Sequence, residues 1–223
     1  MKTGLTIVAA VVVVGIASTS RAQDPTKVDP AHYKTIVDNP SVRVLRITYP
    51  AGAKSKMHEH PDSMVVVLSS GKMSFTTSDG KTEERELPAD SAMFTPAGTH
   101  LPSNLGTKPM DAILVEFKSP QPGTATIPTE RPDMQIKTLA ESPRATAYRA
   151  TIDPKFAEPA GTKHDYDQVV IALAPTQTSL KVEGQPAKTS WKRGDVMFIG
   201  RGVAHESSNP TGKPSDVVIV AIK

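Results

Sequence analysis

The stretch that decides the fold of this chain is Gly52–Gly71, which reads GAKSKMHEHPDSMVVVLSSG. His58 and His60 stand two residues apart, immediately before the apolar run Met64–Leu68. Side chains at i and i+2 of a strand point to the same face, so both imidazoles can aim at one point. A third histidine, His100, follows after one predicted hairpin. Three imidazoles from two strands predict a site for a divalent transition metal.

Length and composition are those of an ordinary globular protein. The chain has 223 residues, of which 38% are hydrophobic and 22% charged, so it can form one large β domain or two domains of about 100 residues each. Its formal net charge is +3, and without the first 22 residues 24 basic and 23 acidic residues remain. A balance so close to neutral gives no reason to expect nucleic acid or an anionic membrane as a partner.

The first 22 residues have the pattern of a secretory signal peptide. Lys2 precedes the apolar run Leu5–Ala17, and small residues follow up to Ala22, where we expect cleavage. The run is shorter than the roughly 20 residues of a membrane-spanning helix; an uncleaved anchor is the alternative. The absence of cysteine excludes a lipid-modified cysteine anchor and a disulfide framework. We therefore expect an exported protein, periplasmic or secreted, with no membrane contact after cleavage.

From residue 41 onward the sequence is typical of an all-β protein. Short runs of β-branched and aromatic residues alternate with turn residues at intervals of about 8–12 residues. The segment Ser78–Lys81 (SDGK) predicts a tight turn between two strands. Residues 23–40 form a lead-in, and the proline-rich residues 119–133 predict an extended connector. This connector separates residues 41–118 from residues 134–223.

The two halves are related by an internal duplication. Asn104–Lys118 (NLGTKPMDAILVEFK) and Asn209–Lys223 (NPTGKPSDVVIVAIK) match at the Asn, Lys-Pro, Asp and final Lys positions with a constant offset of 105 residues. The same offset carries His100 onto His205. Because polar residues match as well as apolar ones, we expect two copies of one unit of about 100 residues.

These residues resemble the cupin superfamily. The first cupin motif is G-x5-H-x-H-x3,4-E-x6-G, and the chain fits its spacing with Gly52, His58, His60 and Gly71, while Met64 stands where the acidic residue belongs. The second cupin motif contains, in this order, glycine, proline, glycine, histidine and asparagine. In the first half these are Asp90 in place of the first glycine, then Pro96, Gly98, His100 and Asn104. In the second half they are Gly194, Gly200 in place of the proline, Gly202, His205 and Asn209. The resemblance implies a bicupin, an all-β fold of two tandem double-stranded β-helix (jelly-roll) barrels.

In the first half, the resemblance implies His58, His60 and His100 as metal ligands. The family's glutamate ligand is replaced by Met64, whose thioether is a poor ligand for Fe(II), Mn(II) or Zn(II). The remaining set resembles that of three-histidine cupin dioxygenases, and it implies one divalent transition metal: Fe, Mn, Zn, Ni or Cu. A copper site that includes Met64 and a degenerate barrel with inherited histidines are the alternatives.

The second half has lost at least one ligand. One alignment places His164 at the position of His60 and Thr162 at that of His58, whereas an alignment shifted by two residues places Tyr166 at the second histidine. In either case two nitrogens and an amide oxygen could form a weaker second metal site, made of His164, Gln168 and His205. The alternative is a barrel that is structural or that binds a polar ligand without metal.

Together these features predict an exported, metal-binding bicupin with one mononuclear site in the first barrel. If the protein is an enzyme, we expect O2-dependent oxidation of a small organic molecule; no catalytic residue can be assigned from the sequence. A non-catalytic ligand-binding or structural bicupin and a metal-assisted isomerase or lyase are the alternatives, because cupins host unrelated activities. The expected partners are a small molecule and, by resemblance, a second copy of the chain in a homodimer.

Overall fold

The computed structural model of this chain describes residues 23–118 and 123–223, nearly all of them in strands and their connections. The predicted signal peptide, residues 1–22, lies outside the described residues. Among the residues described, no helix is long and apolar enough to cross a membrane.

The secondary structure consists of one short helix and seventeen strands within the described residues. In chain order they are α1 Pro25–Val28, β1 Tyr33–Asp38, β2 Val42–Tyr49, β3 His58–His60, β4 Ser63–Val67, β5 Gly71–Thr77, β6 Thr82–Leu87, β7 Ala92–Thr95, β8 Gly98–Asn104, β9 Met110–Phe117, β10 Met134–Glu141, β11 Ala145–Ile152, β12 Ala157–Thr162, β13 Asp167–Ala172, β14 Ser179–Val182, β15 Val196–Ile199, β16 His205–Ser208 and β17 Ser215–Ile222.

The strands form two jelly-roll barrels, which confirms the predicted fold class. Barrel 1 combines a five-stranded sheet, β1-β2-β9-β4-β7, with a four-stranded sheet, β3-β8-β5-β6. Barrel 2 combines the sheet β10-β11-β17-β13-β15 with the three-stranded sheet β12-β16-β14. The predicted SDGK turn connects β5 to β6. Residues 33–38, which the sequence placed in the lead-in, form β1 and pair with β2.

The polar residues that match between the halves make the same contacts in each barrel. In both copies an asparagine amide donates to the carbonyl oxygen four residues later, and an arginine fork holds an aspartate with two hydrogen bonds. The pairs are Asn104–Lys108, Asn209–Lys213, Arg46–Asp111 and Arg149–Asp216. The duplication therefore kept these residues because they close a turn and tie two strands together.

The first glycine position of the second motif has a left-handed backbone in both barrels. Gly194 has φ 81° and Asp90 has φ 63°. Aspartate is one of the few residues other than glycine that adopt this conformation readily. The substitution at residue 90 therefore fits the motif's backbone.

The two five-stranded sheets pack face to face and form one apolar core between the barrels. Buried side chains of β2, β4 and β9 lie in the same cluster as those of β11, β13 and β17, and each barrel encloses a further core of its own. β9 and β17 are thus buried on both faces, which explains their continuous apolar sequences. In β4 the alternation places Met64 and Val66 in the core between the barrels and Val65 and Val67 toward the interior of barrel 1.

Candidate functional site

β3 and β8 bring the three predicted histidines of barrel 1 together. His58 pairs with His100 across this ladder, and His60 pairs with Gly98. The ring centroid of His100 lies 5.1 Å from that of His58 and 4.7 Å from that of His60. His58 and His60 are buried and His100 is half-buried. The three imidazoles therefore form one cluster, with His100 in the middle.

Hydrogen bonds and burial set the protonation of these histidines. Nδ1 of His58 lies 2.8 Å from the carbonyl oxygen of Lys56, and Nδ1 of His60 lies 2.9 Å from that of Pro61. A carbonyl oxygen only accepts, so these contacts assign the proton to Nδ1 and leave the lone pair on Nε2. Burial lowers the pKa of His58, and burial together with the neighbouring histidines lowers the pKa of His100 to about 3. Neutral imidazole is the state that binds a metal.

A chain of hydroxyl groups leads from β1 and β2 to His58. The hydroxyl of Tyr49 donates to that of Tyr33 over 2.7 Å, and the Tyr33 oxygen lies 3.0 Å from Nε2 of His58. Burial raises the pKa of Tyr33 well above its ordinary value, so its hydroxyl keeps its proton and donates to His58. Tyr33 was not predicted as a site residue, because it lies on β1, within the residues predicted to be a lead-in.

The histidines stand on the wall of a large cavity inside barrel 1. Its volume is about 1050 Å³. Most of the lining is aliphatic, aromatic or thioether, including Ile47, Val65, Met73, Phe75, Leu87, Met93, Met110 and Leu114. The cavity is thus an apolar chamber with a cluster of imidazoles on one side.

The residue that takes the place of the family's glutamate in this cavity is Val65, not Met64. The motif allows three or four residues between the second histidine and the acidic residue, and Val65 is at the longer spacing. Met64 is fully buried in the core between the barrels, whereas Val65 lines the cavity. The alternative of a copper site that includes Met64 is therefore wrong, because the strand turns the thioether away from the histidines.

In barrel 2, the strand register decides between the two alignments of His164. β12 and β16 pair Thr162 with His205, as β3 and β8 pair His58 with His100. Thr162 thus occupies the position of His58, and the alignment shifted by two residues is wrong. The ring centroids of His164 and His205 lie 5.0 Å apart.

A carboxylate joins these two histidines. Glu158, His164 and His205 bring three potential ligand atoms within 4.8 Å of one another, and no other group of His, Cys, Asp or Glu in residues 23–118 and 123–223 does so. Oε1 of Glu158 lies 3.3 Å from Nε2 of His164, and Oε2 lies 3.5 Å from Nε2 of His205. The latter nitrogen is buried and makes no hydrogen bond. The barrel-1 histidines do not meet this spacing, although their rings are in contact.

Glu158 was not predicted as a site residue, because it lies six residues before His164, outside the motif. The register of the β12–β16 ladder shifts between Glu158 and Thr162, and this irregularity places the carboxylate beside the histidines. The corresponding bridge in barrel 1 is made by Lys54. Gln168, the predicted third ligand, lies on β13 with its Nε2 buried and without a hydrogen-bond partner; its role as a ligand stays a prediction.

A positive charge already lies in the centre of barrel 2. Arg131 donates to Oε1 of Glu158, and its Nη2 lies 3.1 Å from Nε2 of His164 and 3.2 Å from the hydroxyl of Tyr166. Burial alone would raise the pKa of Glu158, but the two histidines, the Ser207 hydroxyl and the charge of Arg131 outweigh it and hold that pKa well below its usual range. Glu158 is therefore an anion balanced by a guanidinium.

The comparisons with known proteins agree with this architecture. Residues 45–116 match the Cupin_2 family (Cupin domain). The crystal structure of AerE from Microcystis aeruginosa is 14% identical with a TM-score of 0.62, and the match covers 86% of this chain and 97% of that chain.

Two oxalate decarboxylases extend the likeness in fold. The formate complex of the Lactobacillus farciminis enzyme is 10% identical with a TM-score of 0.59, covering 86% of this chain and 84% of that one. The Bacillus subtilis enzyme, whose structure was studied for its Mn(II) centres, is 9% identical with a TM-score of 0.58, covering 86% and 75%. No curated protein matches the chain. At these identities the likeness shows the fold alone.

Proposed function

We propose, from the match of residues 45–116 to the Cupin_2 family, that this chain is a cupin whose barrel 1 binds a small, largely apolar organic molecule beside a divalent transition metal held by His58, His60 and His100. The observation that carries this proposal is the position of three imidazoles on the wall of an apolar cavity of about 1050 Å³. Pockets for small molecules typically have about 300–1,000 Å³. The chamber therefore has room for an organic molecule next to the histidines.

The donor set has the chemistry of a site for a first-row divalent metal, provided that two things change. The three rings, whose ligand atoms do not all lie within 4.8 Å of one another, must move closer together, and His58 must give up one contact. Nε2 of His58 and Nε2 of His60 carry lone pairs, but the hydroxyl of Tyr33 donates to the first of them. Coordination by all three histidines displaces this hydroxyl, which then becomes a hydrogen-bond donor toward a ligand in the cavity. When bound, a metal with three neutral ligands keeps its full charge and open positions, and it supplies Lewis acidity or redox chemistry there.

The lining favours an apolar molecule over a small dicarboxylate. Of the charged residues that line the cavity, Asp79, Glu83 and Arg85 are about half exposed and Lys81 is mostly exposed, so they offer a charged group of the ligand a place toward solvent. The rest of the lining beside the histidines includes Val65, Met93 and other apolar side chains. Two of the structural neighbours are oxalate decarboxylases. Oxalate in this cavity would leave most of the apolar surface without a contact.

We propose O2-dependent oxidation of the bound molecule as the reaction, with Tyr33 positioning the substrate by its hydroxyl group. The test is O2 uptake by Fe(II)-loaded protein with apolar candidate substrates. Uptake that is lost in His100→Ala, and retained in His32→Ala, supports an oxidation at this cluster. Turnover that proceeds equally well without O2 contradicts it.

An isomerase or lyase is the second candidate, and the contact between Tyr33 and His58 favours it. A hydroxyl that donates to a neutral imidazole forms an acid–base pair at hydrogen-bond distance, which proton transfer to and from a substrate requires. Such a reaction gives product under anaerobic conditions and is slowed in Tyr33→Phe. Binding without any turnover would instead leave a non-catalytic ligand-binding barrel.

Ligand binding itself can be tested with 8-anilinonaphthalene-1-sulfonate, a fluorescent probe with an apolar ring system and one sulfonate group. Met93→Trp fills part of the cavity and leaves all three histidines in the chain, and Met197→Trp changes the residue on the corresponding strand of barrel 2. We expect Met93→Trp to weaken probe binding at least about tenfold, or about 1.4 kcal/mol, while Met197→Trp and added oxalate have little effect. Unchanged binding by folded Met93→Trp would place the ligand elsewhere.

We also propose that the protein is exported after cleavage behind Ala22. Mass spectrometry of the protein secreted or released from the periplasm should then find Gln23 as the first residue. Recovery of the chain in the membrane fraction with Met1 in place would contradict cleavage and support the anchor. Homodimer formation stays a prediction, which sedimentation of the cleaved protein can check.

A further inference from the structure

We propose that Arg131 occupies the centre of barrel 2 in place of a metal ion, its guanidinium supplying the positive charge that Glu158, His164 and His205 would otherwise coordinate. This inference concerns barrel 2 alone and does not depend on the function proposed for barrel 1.

The three side chains around Arg131 have the composition and spacing of a metal triad. One carboxylate and two imidazoles form a common ligand set for Zn(II), Mn(II) and Fe(II). The two oxygens of Glu158 lie 3.3 and 3.5 Å from the nearest nitrogens of His164 and His205. The buried Nε2 of His205 makes no hydrogen bond. Without Arg131, Glu158, His164 and His205 would have no cation between them.

Arg131 makes the contacts that a cation would make. Its Nη1 donates to Oε1 of Glu158, and its Nη2 lies 3.1 Å from Nε2 of His164. The side chains of Arg131 and Glu158 are only 16% and 15% exposed. A metal ion bound to the same oxygen and nitrogen would collide with the guanidinium.

The connector between the barrels holds Arg131 in this position. Ala125 and Ile127 pack against the core of barrel 2, and Arg131 forms a backbone bridge with Met134 at the start of β10. The guanidinium also contacts the hydroxyl of Tyr166. The arginine is thus fixed by its own backbone and by three side chains.

Replacement of Arg131 by a divalent metal is unfavourable in the native chain. An arginine keeps its charge in proteins, so a metal would have to push a charged side chain out of its site, together with the packed connector. Burial of an ion without its partner is costly. The native barrel 2 therefore rejects metal although its ligands have the right chemistry.

The decisive experiment counts metal equivalents in Arg131→Ala. We expect this variant to bind one more equivalent of Co²⁺ than the wild-type chain, measured by equilibrium dialysis and by the Co²⁺ absorption spectrum. The additional equivalent should disappear in Arg131→Ala/Glu158→Gln. Millimolar guanidinium chloride should compete with the additional Co²⁺, whereas the same concentration of sodium chloride should not.

A measurement on the native chain keeps the inference testable if Arg131→Ala fails to fold. When Co²⁺ is added to the wild-type protein, the ring proton signals of His164 and His205, assigned with His164→Gln and His205→Gln, should stay sharp in the NMR spectrum. Broadening of both signals by stoichiometric Co²⁺ would overturn the proposal. So would a wild-type metal equivalent that Glu158→Gln removes, or a folded Arg131→Ala that gains none.

Discussion

The two barrels hold a pair of histidines in nearly the same geometry. The rings of His60 and His100 have centroids 4.7 Å apart and planes at 47°, and those of His164 and His205 have centroids 5.0 Å apart and planes at 49°. His100 and His205 lie on equivalent strands, β8 and β16, whereas His60 ends β3 and His164 lies two residues after the end of β12. The duplication therefore preserved where these imidazoles stand.

What surrounds the pair differs between the barrels. In barrel 1 a third imidazole, that of His58, joins it, and the group faces an apolar cavity. In barrel 2 Thr162 takes that position, and the ion pair of Arg131 with Glu158 fills the centre. Equivalent histidine positions thus lie in different surroundings, and we propose that the neighbouring charges and the available space decide whether a barrel binds a ligand.

The largest predicted effect tests which residue of β4 faces the barrel-1 cluster. Met64→Glu buries a carboxylate in the apolar core between the barrels, and we expect it to lower the free energy of unfolding by about 3–5 kcal/mol or more. Val65→Glu points into the cavity, so we expect a smaller loss of stability and metal binding that is at least about tenfold tighter. Urea unfolding and competitive metal titration measure both. Tighter metal binding by Met64→Glu would contradict the assigned faces.

The next effect tests the ion pair of barrel 2. Glu158→Ala leaves Arg131 in a largely buried site without its anion, and we expect the free energy of unfolding to fall by about 3 kcal/mol. The matched control is Glu83→Ala, which removes an exposed partner of Arg85 and should have a much smaller effect, because exposed ion pairs are screened by solvent. Urea denaturation compares the two variants. Equal losses would mean that the charge pair in barrel 2 is no more than a surface contact.

A smaller effect separates the tyrosines of the two barrels. Tyr33→Phe removes a hydroxyl that donates to His58 and accepts from Tyr49, and we expect a loss of about 1–3 kcal/mol. The hydroxyl of Tyr148 is buried in barrel 2 without a hydrogen-bond partner, so Tyr148→Phe should be neutral or stabilising. Thermal unfolding measures both changes. A cost for Tyr148→Phe as large as that for Tyr33→Phe would refute the difference.

The smallest effect concerns the arginine fork that the barrels share. Hydrogen bonds from Arg149 lower the pKa of Asp216, against the raising effect of partial burial, and Thr151 adds to the lowering. The contribution to stability is present above the unfolded pKa of about 3.9 and is lost as the pH falls through the lower folded pKa. It should be below about 1 kcal/mol. In Asp216→Asn the free energy of unfolding should therefore decrease less between pH 6 and pH 3 than in the wild type. An unchanged decrease would contradict the assignment.

The sequence was sufficient to predict the elements that repeat. The strands are predicted by a periodic pattern of residue types, and the two barrels by the internal duplication. The motif histidines are predicted by their local spacing. The motif could not decide between Met64 and Val65. It allows two spacings that differ by one residue, and a shift by one residue turns the side chain to the other face of the strand.

The residues that distinguish the barrels could not be found in this way. Arg131 lies in the connector, more than thirty residues before His164, and reaches the site only because the connector packs on barrel 2. The position of Glu158 depends on an irregular register in β12. Tyr33 lies on β1, in residues that were predicted to be a lead-in without a strand. Their roles come from tertiary contacts, which no spacing rule encodes.

The most direct test of the difference between the barrels is the metal content of the protein purified without chelator, before and after addition of Fe, Mn, Zn, Ni or Cu. Wild-type protein, His100→Ala and His205→Ala should be compared by elemental analysis. We expect about one equivalent per chain in the wild type, its loss in His100→Ala and its retention in His205→Ala. Loss in His205→Ala with retention in His100→Ala, or no bound metal under any of these conditions, would contradict it.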